Sequence, residues 1–481
     1  SDAAGMAGGR SGMTVPSLPT AFIRRMQAQL GLEADAFFSA LQQPPYRGLR
    51  RNPLKQTGSP LSDQVGQIGD PVSWEPNGFL LPAASRAGAH PLHEAGAYYL
   101  QEPSAMLPAT LLAVQPGETV LDLCAAPGGK STQLAAALAG RGTLICNEIV
   151  PNRAQILSRN LERMGVTNSL VVNADPARLA AAWPQLFDAI LVDAPCSGEG
   201  MFRRHPETRL EWSEGSPERC AVRQRLILDS ACAMLKVGGR LCYSTCTFSP
   251  EENENVVAAL LLAHPELQPL PFSVAVAKGR IYNASDGMVR LFPHKVAGEG
   301  QFAALFVKTG CGTGEVPTPC RLLPAMNALE RPDRSLKDSF CDFWHGLSSA
   351  DMPEPNASMG ATLLAAPELP PLRGIRVLRA GVALGQAKGR VFAPDHALAM
   401  AAPAPALPRI ALPLNEAFRY LAGETLPAPD SARGYTLATY AGLPLGFGKV
   451  SDGMLKNHYP KGLRRMLANA PEPEGEFDGN D

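Results

Sequence analysis

The fold of this chain is decided by residues 120–131, which read Val120-Leu121-Asp122-Leu123-Cys124-Ala125-Ala126-Pro127-Gly128-Gly129-Lys130-Ser131. The apolar start predicts a buried strand, the small residues predict a tight loop, and the last two residues begin a helix. Backbone N–H groups in such a loop can approach a nucleotide-like cofactor. The stretch therefore predicts a cofactor site at the carboxyl end of a strand.

Strand and helix patterns alternate along this part of the chain. Strands are predicted over residues 119–123, 143–148, 169–174, 187–192 and 239–245. Helices are predicted between them, over residues 130–139, 152–164, 217–235 and 251–263. The alternation is typical of a doubly wound, mainly parallel α/β sheet, and two extended segments at 288–292 and 301–307 predict an antiparallel edge.

The loop at 124–130 has three interpretations. It nearly matches the phosphate-binding pattern G-x-x-x-x-G-K-[ST], but Cys124 stands where that pattern requires its first glycine. A loop for an adenosine-type cofactor and a plain turn between strand and helix also fit. All three stay open on local sequence alone.

Acidic residues follow the next two predicted strands. Glu148 lies where a carboxylate accepts hydrogen bonds from both ribose hydroxyls of an adenosine cofactor. Asp175 either meets the adenine edge or caps the following helix. Arg153 either anchors Glu148 or lies on an exposed helix face.

Two cysteines indicate chemistry. Cys196 follows Asp193-Ala194-Pro195, and Cys246 lies in Tyr243-Ser244-Thr245-Cys246-Thr247, each at the end of a predicted strand on the ligand side. A thiol is a strong nucleophile once deprotonated, and a second thiol can act as base when the adduct is resolved. The seven cysteines elsewhere are interpreted as small buried side chains: Cys146, Cys220, Cys232, Cys242, Cys311, Cys320 and Cys341.

Composition limits the classes of function. No C-x-x-C pair or histidine cluster indicates a metal site, and we expect reduced thiols, no signal peptide, no membrane segment and a soluble, cytoplasmic monomer. The net charge of −1 confines any contact with nucleic acid to patches. Two basic patches are candidates, one with Arg47, Arg50, Arg51 and Lys55, the other with Lys449, Lys456, His458, Lys461, Arg464 and Arg465.

Composition also divides the chain into six segments. They are a cloning remnant or disordered terminus at 1–13, a small N-terminal module at 14–95 beginning with an amphipathic helix at 20–30, the α/β core at 96–309, a loose Pro/Ala-rich connecting region at 310–372, a small β-rich domain at 373–468 that includes a piece at 376–380, and an acidic tail at 469–481.

These motifs resemble the RNA (cytosine-5) methyltransferases, within them the RsmF-type branch that modifies small-subunit ribosomal RNA. The Ala-Pro-Gly-Gly-Lys loop, the Asp-Ala-Pro-Cys-Ser-Gly-x-Gly motif and the Ser-Thr-Cys-Thr-x-x-x-x-Glu-Asn-Glu motif occur in the family's order. Further family-like segments are Arg50-x-Asn52-x-x-Lys55, Tyr99-Leu100-Gln101-Glu102, Gly298-Glu299-Gly300-Gln301-Phe302 and, with less specificity, the PUA-like end at 444–461.

The resemblance implies a Rossmann-like methyltransferase core that uses S-adenosyl-L-methionine, with RNA-binding units at both ends. Cys246 would attack C6 of cytosine, Cys196 would assist removal of the C5 proton, and Asp193 would bind the base. Cofactor contacts are implied for Cys124, Ala125, Ala126, Pro127, Gly128, Gly129, Lys130, Glu148, Arg153, Asp175 and Asp193. RNA contacts are implied for Arg50, Asn52, Lys55, Lys449, Lys456, His458 and Lys461.

Several competing functions remain. A P-loop NTPase would leave the second thiol without a role, and in a DNA cytosine-5 methyltransferase the Pro-Cys cysteine attacks without a Thr-Cys partner. A transfer-RNA methyltransferase shares the core, and a non-catalytic RNA-binding assembly factor could keep the fold. The small ribosomal subunit is the expected partner because of the C-terminal domain.

Overall fold

The structure is a computed structural model that describes residues 15–310, 318–389, 391–401 and 406–464. The predicted terminal segments at 1–13 and 469–481 lie outside the described residues, as do Cys311 and Arg465.

The N-terminal module consists of short helices and a three-stranded antiparallel sheet in the order β2-β1-β3. Its elements are α1 Thr20–Leu30, α2 Ala34–Leu41, β1 Arg47–Arg51, α3 Leu61–Val65, β2 Gly78–Leu81, α4 Pro91–Glu94 and β3 Tyr98–Leu100. The predicted first helix has the bounds expected from its apolar spacing. Since β3 pairs with β1, the module's sheet extends beyond the predicted border at residue 95.

The core follows, built from alternating strands and helices. Its elements are α5 Leu107–Leu112, β4 Thr119–Asp122, α6 Gly129–Leu138, β5 Thr143–Asn147, α7 Pro151–Arg163, β6 Ser169–Asn173, α8 Pro176–Ala182, β7 Phe187–Asp193, α9 Thr208–Glu211, α10 Ser216–Met234, β8 Leu235–Thr245, α11 Glu254–Ala263, β9 Leu267–Pro269, β10 Phe272–Ala277, β11 Arg280–Ala284, β12 Met288–Leu291 and β13 Gln301–Lys308.

The core sheet has the strand order β12-β13-β8-β7-β4-β5-β6, with the five strands from β8 to β6 parallel. The predicted antiparallel edge is confirmed, because β12 pairs with β13 and β13 with β8. Side chains on the two faces of the central strands enter two separate apolar clusters, which explains the continuous apolar runs: Leu121 and Ile190 enter one, Val120 and Leu191 the other.

The C-terminal region contains more regular structure than predicted. Its elements are α12 Ala325–Ala328, α13 Arg334–His345, β14 Ala357–Met359, β15 Thr362–Ala365, β16 Arg376–Ala380, β17 Val382–Lys388, β18 Val391–Pro394, α14 His396–Ala401, β19 Arg409–Ala411, α15 Leu414–Ala422, β20 Leu426–Pro427, β21 Gly434–Tyr440, β22 Leu443–Ser451 and β23 Met454–Asn457. They form a four-stranded sheet, β14-β15-β17-β18, and a five-stranded sheet, β19-β21-β22-β23-β20.

Two of the predicted assignments in this region are corrected. The piece at 376–380 does not belong to the terminal β-rich domain, because β16 pairs antiparallel with β6 and adds an edge to the core sheet. Residues 310–372 are not simply a loose connection, because β15 pairs with β17 beyond residue 372. Local sequence could not show either pairing. The strands β6 and β16 lie far apart in the chain, and β15 and β17 lie on opposite sides of a predicted border.

The N-terminal module and the five-stranded C-terminal sheet share one apolar cluster. Leu49 and Tyr98 pack there with Tyr420, Leu445 and Leu455. Within the described ranges, no helix is long and apolar enough to cross a bilayer, and no group of His, Cys, Asp or Glu side chains is arranged to hold a metal ion.

Candidate active site

The predicted cofactor and catalytic residues come together at one edge of the core sheet. They lie in the loops that follow β4, β5, β6, β7 and β8, whose carboxyl ends meet there because these strands are parallel. Asn147, at the end of β5, ties these loops together. Its amide nitrogen donates to the carbonyls of Leu123 and Ala174, and its oxygen accepts from the N–H of Ala174.

The loop at 124–128 leads directly into α6. Gly128 has a φ of 113°, and a Cβ there would lie 3.2 Å from the Cδ1 of Leu157. The positive φ favours glycine, since other residues rarely adopt that conformation, and the side chain of Leu157 leaves little space for a Cβ. The small residues thus keep side-chain bulk out of the loop, so that a cofactor could approach its backbone closely.

Three acidic side chains surround this loop. Asp122 is buried, its Oδ1 has no hydrogen-bond partner in the described structure, and burial raises its pKa to about 7. Glu148 is buried at the end of β5, where its Oε1 accepts from the N–H of Val150. Together with Asp193 they offer acceptors for hydroxyl and amino groups and a negative field for a cation, which fits S-adenosylmethionine.

Arg153 contacts both the loop and Glu148. One guanidinium nitrogen donates to the carbonyl of Ala126 at 2.9 Å, and another lies 3.4 Å from Glu148 Oε2. Asp175 caps α8, because its Oδ1 accepts from the N–H of Ala177 at 2.9 Å. It is also exposed at the same sheet edge, so capping and a cofactor contact are compatible.

Asp193 ends β7 and is held by three side chains. Its Oδ2 lies 2.8 Å from Lys130 Nζ, and its Oδ1 accepts from Ser244 Oγ at 2.7 Å and from Gln301 Nε2 at 3.3 Å. Burial opposes the charge on Lys130, but the acidic groups around it outweigh burial and raise its pKa. The lysine that would reach a triphosphate in a P-loop is therefore engaged with the neighbouring strand.

The two thiols are in contact. Cys196 Sγ lies 3.3 Å from Cys246 Sγ, on the loops that follow the adjacent strands β7 and β8. The hydrogen bond with Cys246 and burial both hold the pKa of Cys196 well above its usual range. Cys196 is therefore a thiol at neutral pH, able to donate its hydrogen to the sulfur of Cys246.

Three of the residues predicted to contact RNA are buried in this structure. Arg50 is buried and donates to Gln101 Oε1, the carbonyl of Gly129 and Thr132 Oγ1. Asn52 is also buried; its side chain donates to the carbonyls of Gly96 and Met164.

Lys55 is the third of these. It donates to the carbonyls of Ala95 and Arg163, and burial lowers its pKa to about 7. All three residues of the Arg50-x-Asn52-x-x-Lys55 segment therefore join the N-terminal module to the core, and none of them lies on an exposed RNA-binding surface.

The described residues of the C-terminal basic patch include exposed cations. Lys449 and Lys456 face each other across β22 and β23, and Lys449 Nζ lies 5.3 Å from the ring centre of Tyr435. His458 packs edge-on against that ring, and burial, Lys449 and Lys388 lower its pKa. Lys461 is also exposed, four residues beyond the end of β23.

The sequence alone assigns no role to several residues of the site. Ser244 and Gln301 were quoted only as parts of motifs, and their contacts with Asp193 depend on the pairing of β7, β8 and β13. Lys388 was missed because it lies in another sheet of the C-terminal region. Its only sequence signal is its charge.

Four family descriptions match successive parts of the chain. They are "N-terminal domain of 16S rRNA methyltransferase RsmF" over 18–103, "16S rRNA methyltransferase RsmB/F" over 109–307, "RsmF rRNA methyltransferase first C-terminal domain" over 343–401 and "Methyltransferase RsmF PUA domain" over 408–465.

Curated relatives match almost the whole chain. The ribosomal RNA small subunit methyltransferase F of Klebsiella pneumoniae (strain 342) is 34% identical over 477 residues, covering 93% of this chain and 96% of the relative. The protein of the same name from Cronobacter sakazakii (strain ATCC BAA-894) is 32% identical, covering 94% and 98%.

Solved structures match the larger part of the chain. The crystal structure of PH0851 has a TM-score of 0.56 at 28% identity, covering 60% of this chain and 66% of that one. NSun6 from Pyrococcus horikoshii with SFG has a TM-score of 0.53 at 22% identity, covering 61% and 98%, and shows the fold alone. The comparisons confirm the resemblance, the fold class and the cofactor predicted from the sequence.

Proposed function

The chain belongs to the ribosomal RNA small subunit methyltransferase F family, which uses S-adenosylmethionine, and we propose that it methylates C5 of a cytidine in 16S rRNA, in the decoding region. The observation that carries the proposal is the contact between two thiols beside the cofactor loop, 3.3 Å apart. Aromatic C5 of cytosine is a poor nucleophile, and addition of a thiolate at C6 activates it.

Cys246 is the nucleophile in this proposal. Its sulfur forms a bond to C6, the displaced electron pair makes C5 nucleophilic, and S-adenosylmethionine supplies the electrophilic methyl group. Before attack, the S–H of Cys196 stabilises a thiolate on Cys246 by hydrogen bonding, since the raised pKa keeps the proton on Cys196.

Cys196 assists the second half of the reaction. Once Cys246 is bonded to carbon, the hydrogen bond that contributes most to the raised pKa of Cys196 is lost. Cys196 can then lose its proton and accept the one on C5, after which the bond between sulfur and C6 breaks and frees Cys246. The net reaction replaces the C5–H bond by a C5–CH₃ bond and releases S-adenosylhomocysteine and one proton.

Asp193 orients the base. Lys130, Ser244 and Gln301 fix its carboxylate beside the thiols, so that an oxygen can accept a hydrogen bond from the amino group of cytosine. A preorganised group of this kind stabilises charge as it develops on the ring. The reaction needs the cytidine unstacked, because its carbon atoms cannot be reached inside a helix.

RNA binding is assigned to the exposed C-terminal surface formed by Tyr435, Lys449, Lys456 and His458. Like charges directly opposite each other on a sheet, as at Lys449 and Lys456, are unfavourable without a counter-ion. No ion pair among the described residues neutralises either lysine. A phosphate backbone supplies that counter-charge, and the tyrosine offers a face for stacking.

The test is incubation with methyl-labelled S-adenosylmethionine and 16S rRNA, small ribosomal subunits or transfer RNA, followed by nucleoside analysis. We expect labelled 5-methylcytidine in 16S rRNA or in the subunit. Label confined to transfer RNA would assign a different substrate. No label in any competent RNA would favour an assembly factor that binds RNA without catalysis.

A further inference from the structure

The residue after each thiol is a hydroxyl residue, and the two hydroxyls meet. Ser197 Oγ lies 2.9 Å from Thr247 Oγ1. This contact lies one residue after the contact between the sulfurs of Cys196 and Cys246 in both loops. The Ser197 hydroxyl also donates to the carboxyl group of one fully buried residue, Glu252, which leaves its oxygen free to accept from the Thr247 hydroxyl.

Glu252 binds the loop that carries Cys196 at two points. Its Oε2 accepts from the backbone N–H of Ser197 at 2.9 Å, and its Oε1 accepts from the Ser197 hydroxyl. Gln224, from α10, donates to the same carboxyl group at 2.9 Å and to the carbonyl of Pro195 at 3.0 Å. The backbone on both sides of Cys196 is therefore fixed by one carboxyl group and one amide.

The next residue fixes the loop that carries Cys246. Asn253 donates to the carbonyl of Thr247 at 3.0 Å and accepts from the hydroxyl of Thr245 at 2.6 Å. Tyr243 donates its hydroxyl hydrogen to the carbonyl of Glu252. Residues 252 and 253 thus bind the chain before and after Cys246 and directly after Cys196, and Gln224 binds it directly before Cys196.

These anchoring contacts are needed because both thiols lie in loops, after the ends of β7 and β8. The ladder between β7 and β8 ends at Asp193 and Ser244. Two further backbone bonds join the loops, from the N–H of Ala194 to the carbonyl of Ser244 and from the N–H of Gly200 to the carbonyl of Cys246. The two loops then continue without a sheet to hold their spacing. Removing one anchor leaves buried donors without an acceptor, which favours movement of the loop.

We propose that Glu252 is a positioning residue that holds the two thiols at contact distance, so that the second sulfur can complete the reaction that the first begins. The geometric claim is independent of the RNA substrate, while its catalytic consequence rests on the proposed function. In Glu252→Gln the amide keeps one acceptor oxygen for the three donors that the carboxyl group binds, so the hold on the loop weakens and the spacing of the loops should relax.

The geometric claim is tested with phenylarsine oxide, whose arsenic(III) forms two As–S bonds with two neighbouring thiols and releases water. Wild type should bind the arsenical tightly. The difference in affinity between wild type and Cys196→Ala measures the part of the binding that requires both thiols. We expect Glu252→Gln to weaken this part at least about tenfold, since loss of bridging removes one of two linked contacts. Glu251→Gln is the matched control, because Glu251 pairs with Arg25 and lies half exposed.

The catalytic consequence is tested by steady-state kinetics on the RNA that wild type methylates. A misplacement of about 1 Å can cost about 100-fold, so we expect kcat of Glu252→Gln to fall about 10- to 100-fold. The KM values for S-adenosylmethionine and RNA should stay within about twofold of wild type, because neither ligand contacts Glu252 in the proposed mechanism. Ser197→Ala and Thr247→Val give a second measurement of both quantities should Glu252→Gln not fold.

The outcomes are separable. Wild-type binding of the arsenical by Glu252→Gln overturns the positioning role, whatever the RNA activity. Weakened binding with a wild-type kcat overturns the catalytic consequence. Absence of 5-methylcytidine from wild type contradicts the proposed function, yet the arsenical still decides whether Glu252 sets the spacing of the thiols.

Discussion

Glu199 shows how one buried residue supports the site. It follows the Cys196 loop, and its carboxyl group accepts from the indole N–H of Trp212 and from the backbone N–H of Phe248. These bonds join the loop after Cys196 to the loop after Cys246. Burial raises the pKa of Glu199 to about 7, so the group is largely protonated in the folded protein below that pH.

This shift predicts a pH-dependent stability. The ordinary pKa of a glutamate is 4.5 and that of Glu199 is about 7 when folded, so the folded state holds more protons between these values. Its contribution to the free energy of unfolding therefore falls as pH rises from 4.5 to 7, by at most about 3 kcal/mol. Measured by urea denaturation, the free energy of unfolding of Glu199→Gln should rise relative to that of wild type by up to that amount between pH 5 and pH 8. A difference between the two proteins that stays constant with pH would contradict this prediction. Exposed Glu211→Gln is the control.

The same substitution at Lys55 and at Lys449 should affect different properties, stability in the first case and RNA affinity in the second. Lys55 donates to two buried carbonyls, so Lys55→Met should lower the free energy of unfolding by about 1–3 kcal/mol and leave RNA affinity unchanged. Lys449 is exposed, so Lys449→Met should weaken RNA binding and change stability by less than about 0.5 kcal/mol. Urea denaturation at pH 8 and filter binding measure the two effects, and the reverse pattern would restore Lys55 to an RNA surface.

At the scale of elements, the strands and helices of the core were predictable because their signals are local. Each buried strand is a short apolar run, and small residues such as those at 125–129 end it. The strand β1 was not predictable, because Arg47-Gly48-Leu49-Arg50-Arg51 has the composition of a basic patch. Arg50 is satisfied by partners 51, 79 and 82 positions away, which no local pattern reveals.

The candidate site likewise contains residues that the sequence predicts and residues that it does not. Cys196, Cys246, Asp193 and the cofactor loop were predictable, since parallel strands bring their carboxyl ends to one edge. Glu252 was interpreted only as part of a helix start. Its contacts with Ser197 and Gln224 depend on how α10 and the loops pack, which spacing does not encode.

At the scale of the whole molecule, the C-terminal β-rich sheet packs against the N-terminal module. Their shared cluster includes Leu49, Tyr98 and Leu445, which in sequence look like parts of separate cores. The proposed RNA-binding surface is therefore held against the N-terminal module, while β16 joins the C-terminal region to the core sheet. In the proposed function, one RNA contacts both this surface and the thiols.

This arrangement predicts a salt-dependent affinity. Each phosphate contact on a single strand contributes a slope of about 0.7 in log affinity against log salt, so Lys449→Gln with Lys456→Gln should reduce the slope by about 1.4. Lys236→Gln is the control, because Lys236 lies near the start of β8 and pairs with Asp188 at the opposite edge of the sheet. An affinity for 16S rRNA that does not change with salt would contradict the assigned surface.

The most direct measurement of the proposed mechanism is a denaturing gel of protein incubated with labelled S-adenosylmethionine and 16S rRNA or small subunits. Wild type, Cys196→Ala and Cys246→Ala are compared for methylated cytidine and for protein–RNA adducts that survive denaturation. We expect methylation by wild type, an accumulating adduct only in Cys196→Ala, and neither product in Cys246→Ala. An adduct that accumulates in Cys246→Ala instead would reverse the roles of the two thiols and contradict the mechanism.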